Sequence, residues 1–111
     1  MKNVLIVHSE MSSLLAQAMQ FVLTSEDSNA IVCSHIHAMG KFIEEEPQVV
    51  VILDYHEGIN EGQLLGERTF KDLKASATDE KIIRCGLDDY GYEDYLKLPC
   101  NIKHLRKLLG F

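Results

Sequence analysis

The sequence predicts an α/β protein, a parallel five-stranded sheet with helices on both faces, folded as a single domain over residues 1–111. Three observations carry this. Nearly continuous runs of Val, Ile and Leu occur at residues 4–7 and 49–53, the pattern of strands buried on both faces. The segments between apolar runs repeat their apolar residues at helical spacing. The chain has 111 residues, 46% hydrophobic and 25% charged, which suits one domain that buries its own core without staples.

The elements follow in order. Val4-Leu5-Ile6-Val7 is the first strand. Ser9, Ser12 or Ser13 can cap the next helix, along which Leu14, Leu15, Ala18, Met19, Phe21 and Val22 recur at helical spacing. Residues 24–29 are polar and turn-like, and Ala30-Ile31-Val32-Cys33 reads as the second strand. Met39, Phe42 and Ile43 mark a short helix, closed by Glu44-Glu45-Glu46-Pro47 because proline cannot continue it. Residues 49–53 form the third strand, which ends at Asp54. A loop with Gly58 and Gly62 leads to a third helix marked by Leu64, Leu65, Phe70 and Leu73.

Residues 81–85 give a fourth strand with Gly86 after it, and Tyr95-Leu96-Lys97-Leu98 a fifth. Beyond Pro99, Asn101 is a candidate N-cap, and Ile102, Leu105, Leu108 and Leu109 give the last helix an apolar stripe. Only residues 87–94 separate strands four and five. A crossover with its helix takes about 10–12 residues, so the fourth helix is expected to be missing or reduced to one turn.

Alternation of this kind, with right-handed crossovers, points to a flavodoxin-like three-layer sandwich of strand order 2-1-3-4-5. Its ligand crevice lies at the carboxyl ends of strands one and three. His8, Ser9 and Glu10 are thereby expected beside Asp54, Tyr55 and His56.

Composition excludes several classes. A net charge of -6 makes nucleic acid a poor partner, since phosphate binding needs a basic face. The cluster Lys103, His104, Arg106 and Lys107 reads as a solvated helix face. Cys33, Cys85 and Cys100 form no CxxC pair and read as buried thiols, neither a disulfide framework nor a zinc site. The chain shows no signal peptide or apolar span of about 20 residues, so a cytoplasmic protein without membrane contact is expected.

The chain resembles the response-regulator receiver family nearly end to end. The apolar strand followed by His8-Ser9-Glu10 occupies the family's first acidic corner. "PQVVVILDY" resembles its third strand, whose terminal aspartate accepts a phosphoryl group, and Asp54 falls on it. Gly62 matches the glycine that opens the third helix. "EDYLKLPCN" resembles the strand-five segment, with Tyr95 on the switch aromatic and Pro99 on the proline after the lysine.

The departures fall on the chemistry. The family's paired acids, which hold the cation needed for phosphoryl transfer, fall on His8 and Ser9, with Glu10 one residue beyond. Its lysine falls on Leu98 with Lys97 adjacent, and its strand-four hydroxyl on Cys85 or Gly86. The resemblance therefore implies an atypical receiver, without catalytic turnover, that acts in signalling by binding another protein or a second copy. Phosphorylation at Asp54 is expected to be impaired, and Mg²⁺ to matter only if that phosphorylation occurs. The alternatives are a phosphorylatable receiver of a two-component relay using Asp54, and a small flavodoxin-like ligand- or metal-binding module.

Further expectations concern single residues. His8, Glu10, Asp54 and His56 could converge on a transition metal, although no local spacing supports it. A His8–Asp54 ion pair would put an internal cation where the family holds a metal. Tyr95 is expected to pack as a plain core tyrosine. Arg84, in an otherwise apolar strand, is expected to reach solvent past a reduced fourth helix, towards Asp88, Asp89, Glu93 and Asp94. The strand-four/strand-five region and the last helix are the expected contact surfaces.

Overall fold

The structure, a computed structural model, describes residues 2–9, 13–24, 28–54, 61–77, 80–86 and 95–97; for residues 54, 61–67, 86 and 95–97 it describes the backbone alone. The elements are β1 (Lys2–His8), α1 (Ser13–Leu23), β2 (Ser28–Ser34), a 3-10 turn (His35–His37), α2 (Ala38–Glu45), β3 (Val49–Asp54), α3 (Glu61–Ser76), β4 (Lys81–Gly86) and β5 (Tyr95–Lys97). The strands form one parallel sheet in the expected order β2-β1-β3-β4-β5. Residues 87–94, where the fourth helix is expected to be missing or reduced, lie outside the described residues. So do Leu98 and the segment 99–111, including the expected last helix and Cys100.

Apolar runs in the central strands fill both sides of the sheet. Val4, Ile6, Val49, Val51, Leu53, Ile83 and Cys85 pack with Ala16, Met19 and Leu23 of α1. The alternate residues Leu5, Val7, Val50, Ile52 and Ile82 pack with Cys33, with Ala38 and Phe42 of α2, and with Leu73 of α3. Strand residues alternate faces, so a run without polar gaps serves two layers at once. Each fully buried Val, Leu or Ile contributes about 1.5–3 kcal/mol relative to exposure.

Local polar contacts set the ends of the elements. The Thr24 hydroxyl donates to the Gln20 carbonyl at 2.7 Å, and the Ser28 hydroxyl to that of Leu23. The Gln20 carbonyl also accepts from the Thr24 N–H at 3.0 Å, and the Ser28 hydroxyl satisfies a carbonyl of the last turn of α1. Glu46 ends α2 in the left-handed region at φ 47°, its N–H donating to the Phe42 carbonyl at 3.2 Å. Gln48 ties the starts of three strands: it donates to the Asn3 carbonyl and accepts from the N–H groups of Asn3 and Lys81.

Two expectations are corrected. Leu14, Ala18 and Phe21 do not face the core; all three are exposed, and the buried face of α1 is Ala16, Met19 and Leu23. The segment is apolar around most of its circumference, so spacing alone does not choose the inward stripe. Arg84 does not reach solvent. It is fully buried, with its guanidinium carbon 5.8 Å from the centre of the Phe70 ring. An aromatic face and long apolar packing let an arginine be buried where a solvated head was expected. Cys33 and Cys85 are buried cysteines, as expected.

Candidate functional site

The carboxyl end of the sheet gathers the polar residues that follow the apolar runs. β1 ends at His8, whose register partner across β2 is Ser34. His35 follows Ser34 directly and opens the 3-10 turn. β3 ends at Asp54, paired in register with Gly86 of β4, and Gly86 pairs in turn with Lys97 of β5. One register row thus runs from Asp54 through Gly86 to Lys97. Strands lie about 4.8 Å apart, which sets the Asp54 and Lys97 backbones about 10 Å from each other.

His8 is half-buried, and its Nδ1–H donates to the Ser9 carbonyl at 2.8 Å. A carbonyl only accepts, so this bond places a proton on Nδ1. The ring is fixed by its own backbone corner.

His35 is the residue that sequence reasoning missed. Its Nδ1 lies 2.8 Å from Thr69 Oγ1 on α3, joining the β2–α2 connection to the next helix. Its Nε2 is buried and has no hydrogen-bond partner among the described residues. With the proton on Nδ1, the ring donates to Thr69 and Nε2 keeps a bare lone pair. Burial, reinforced by the nearby His8, pushes the His35 pKa down to about 4. The signal was present as a histidine directly after the second strand, beside the end of the first. The partner Thr69 lies 34 residues away and carries no such signal.

Other expected site residues divide into three groups. Cys85 is fully buried on the α1 side of the sheet and offers no hydroxyl to the crevice. Ser9, Asp54, Gly86, Tyr95 and Lys97 lie at strand ends or on β5, with Tyr95 in register with Arg84. Glu10, Tyr55, His56 and Leu98 lie outside the described residues. Among the described residues no group of three or more His, Cys, Asp or Glu side chains could hold a metal ion. Cys33 sits under this end with its thiol pushed up to about 11 by burial, partly opposed by Lys41. That keeps it an unreactive thiol. No helix among the described residues is long and apolar enough to cross a membrane.

The sequence matches no protein-family model, and no curated protein is detectably similar to it. Solved structures are similar in fold. The signal receiver domain of a LuxO repressor protein from Vibrio parahaemolyticus superposes with TM-score 0.71 at 17% identity, over 96% of this chain and 85% of that one. The N-terminal domain of a response regulator/sensory box/GGDEF protein from Carboxydothermus hydrogenoformans gives 0.70 at 13%, over 96% and 90%. The pseudo-receiver domain of the CikA protein gives 0.66 at 15%, over 98% and 94%. With its strand order and its polar carboxyl-end corner, the chain has the fold of response-regulator receiver and pseudo-receiver domains.

Proposed function

We propose that this chain is a receiver-type signalling domain that acts by binding other proteins, with Mg²⁺-dependent phosphorylation at Asp54 impaired. The observation that carries this reading is the His8 ring at the end of β1, its Nδ1–H bonded to the Ser9 carbonyl at 2.8 Å. In the receiver resemblance this corner supplies carboxylates to a divalent cation. Mg²⁺ takes oxygen ligands in strict octahedral geometry and pairs with carboxylates, and an imidazole with a hydroxyl is a poor substitute. His8 and Ser9 do not fit such a cation.

His8 instead brings a group that can carry positive charge. A His8–Asp54 ion pair would neutralise Asp54 in place of a metal and hold the domain in one state. The chain then signals by surface contact, with another signalling protein or a second copy as partner, and performs no turnover.

The test restores what the corner lacks. With Mg²⁺ and acetyl phosphate, the His8→Asp, Ser9→Asp variant is expected to gain a phosphoryl adduct that Asp54→Ala removes. A variant that folds and still gains nothing, beside a native chain that phosphorylates readily, contradicts the reading.

A second reading, a phosphorylatable receiver, is favoured by the register row from Asp54 through Gly86 to Lys97. It keeps an acceptor and a lysine on one line of the sheet. In that case the native chain itself forms the adduct.

A further inference from the structure

Helix α1 carries two apolar faces. Ala16, Met19 and Leu23 are buried in the core. Leu14, Ala18 and Phe21, at spacing i, i+4, i+7, form a second stripe turned to solvent, with Leu14 80% and Phe21 86% exposed. A single exposed apolar side chain needs no explanation, but two large ones on one stripe mark a contact surface.

Charge identifies the occupant. The chain holds 17 Asp and Glu against 11 Lys and Arg, yet residues 11–24 contain none of either, and residues 11–40 hold only Glu26 and Asp27. Two copies of net charge -6 repel each other over most approaches, and least across a face without charge. An uncharged stripe is also self-complementary, as a two-fold contact requires. A further route to self-pairing is β2, one of the two end strands of the sheet. There the Gln20 side chain of α1 already donates to the Ala30 carbonyl at 3.0 Å, a side-chain bond that competes with strand addition.

We propose that a second copy of this chain docks on the outer stripe of α1, the two α1 helices packing antiparallel about a two-fold axis at Ala18. Leu14 lies four residues before Ala18 and Phe21 three after it, so this packing sets Leu14 of each copy against Phe21 of the other. The small side chain at the crossing lets the axes approach to about 8–10 Å. An 11-residue helix is about 16 Å long, and such a contact buries less than the roughly 800 Å² per partner of a standard interface. The dimer is therefore weak, with Kd in the micromolar-to-millimolar range. It tightens as salt screens the remaining repulsion. The proposal is independent of the chemistry at Asp54.

Sedimentation of the full chain from about 10 μM to about 1 mM covers that range and tests it. The native chain is expected to shift from monomer to dimer, and Phe21→Glu to remain monomeric with unchanged circular dichroism. The double variant Leu14→Lys, Phe21→Glu is expected to regain the dimer, because the antiparallel register sets opposite charges across the contact. Leu14→Glu, Phe21→Glu is expected not to. A native chain that stays monomeric throughout, a dimer indifferent to Phe21→Glu, or a failure of the charge-paired variant to recover overturns the proposal. Monomers whose α1 stripe binds a different protein overturn it as well.

Discussion

His35 Nδ1 and Thr69 Oγ1 lie 2.8 Å apart, so the connection after β2 is held to α3 through a neutral, partly buried imidazole. The His35 pKa is lowered to about 4 by burial and by His8, against an ordinary value of 6.5. The folded protein therefore resists a proton that the unfolded chain accepts. Stability contributed by His35 is full above pH 6.5 and is lost as pH falls from there towards 4. The loss is about 1 kcal/mol per pH unit once partial exposure is discounted. His35→Asn, whose amide can still reach Thr69, is expected to flatten this part of the profile in urea unfolding between pH 7 and pH 5. A native profile already flat in that range contradicts the assignment.

Arg84 and Phe70 make a second internal contact, guanidinium over ring at 5.8 Å, with Lys74 Nζ 5.7 Å from the same ring. Phe70→Leu keeps most of the apolar volume and removes the π face, and is expected to cost about 1 kcal/mol. Arg84→Ala opens a cavity beside β4 and is expected to cost about 3 kcal/mol. A double-mutant cycle by chemical denaturation reads the coupling. Additive losses would show that the ring and the guanidinium do not interact.

Glu46 adopts φ 47° at the end of α2, a conformation that an L side chain disfavours and glycine does not. Glu46→Gly is expected to stabilise the protein by about 0.5–1 kcal/mol, read as a rise in Tm. A fall in Tm would mean that the glutamate side chain makes a contact worth more than the backbone strain.

The sheet was legible in the sequence because its signals are local and redundant. Residues 4–7 and 49–53 are apolar at every position, and only a strand covered on both faces uses them fully. The inward face of α1 was not legible. Leu14 and Phe21 are as apolar as Met19 and Leu23, and only the packing of β1 and β2 decides which pair turns inward.

Arg84 misled for a related reason. It lies against Phe70, which is adjacent only after folding. At the site, strand ends located His8 and Asp54 from sequence order alone. His35 was passed over because its role comes from Thr69 on another helix. Distant partners leave no periodicity, and they account for most of what the sequence did not disclose.

Asp54 and the corner opposite it decide between the two readings. The native chain, incubated with Mg²⁺ and acetyl phosphate or beryllofluoride, is followed by intact mass and by backbone amide NMR. No stable adduct and no shift of the amides around Asp54, Gly86 and Lys97 are expected. A stoichiometric adduct that disappears in Asp54→Ala, with shifts along that register row, would contradict this and establish a working phosphoacceptor.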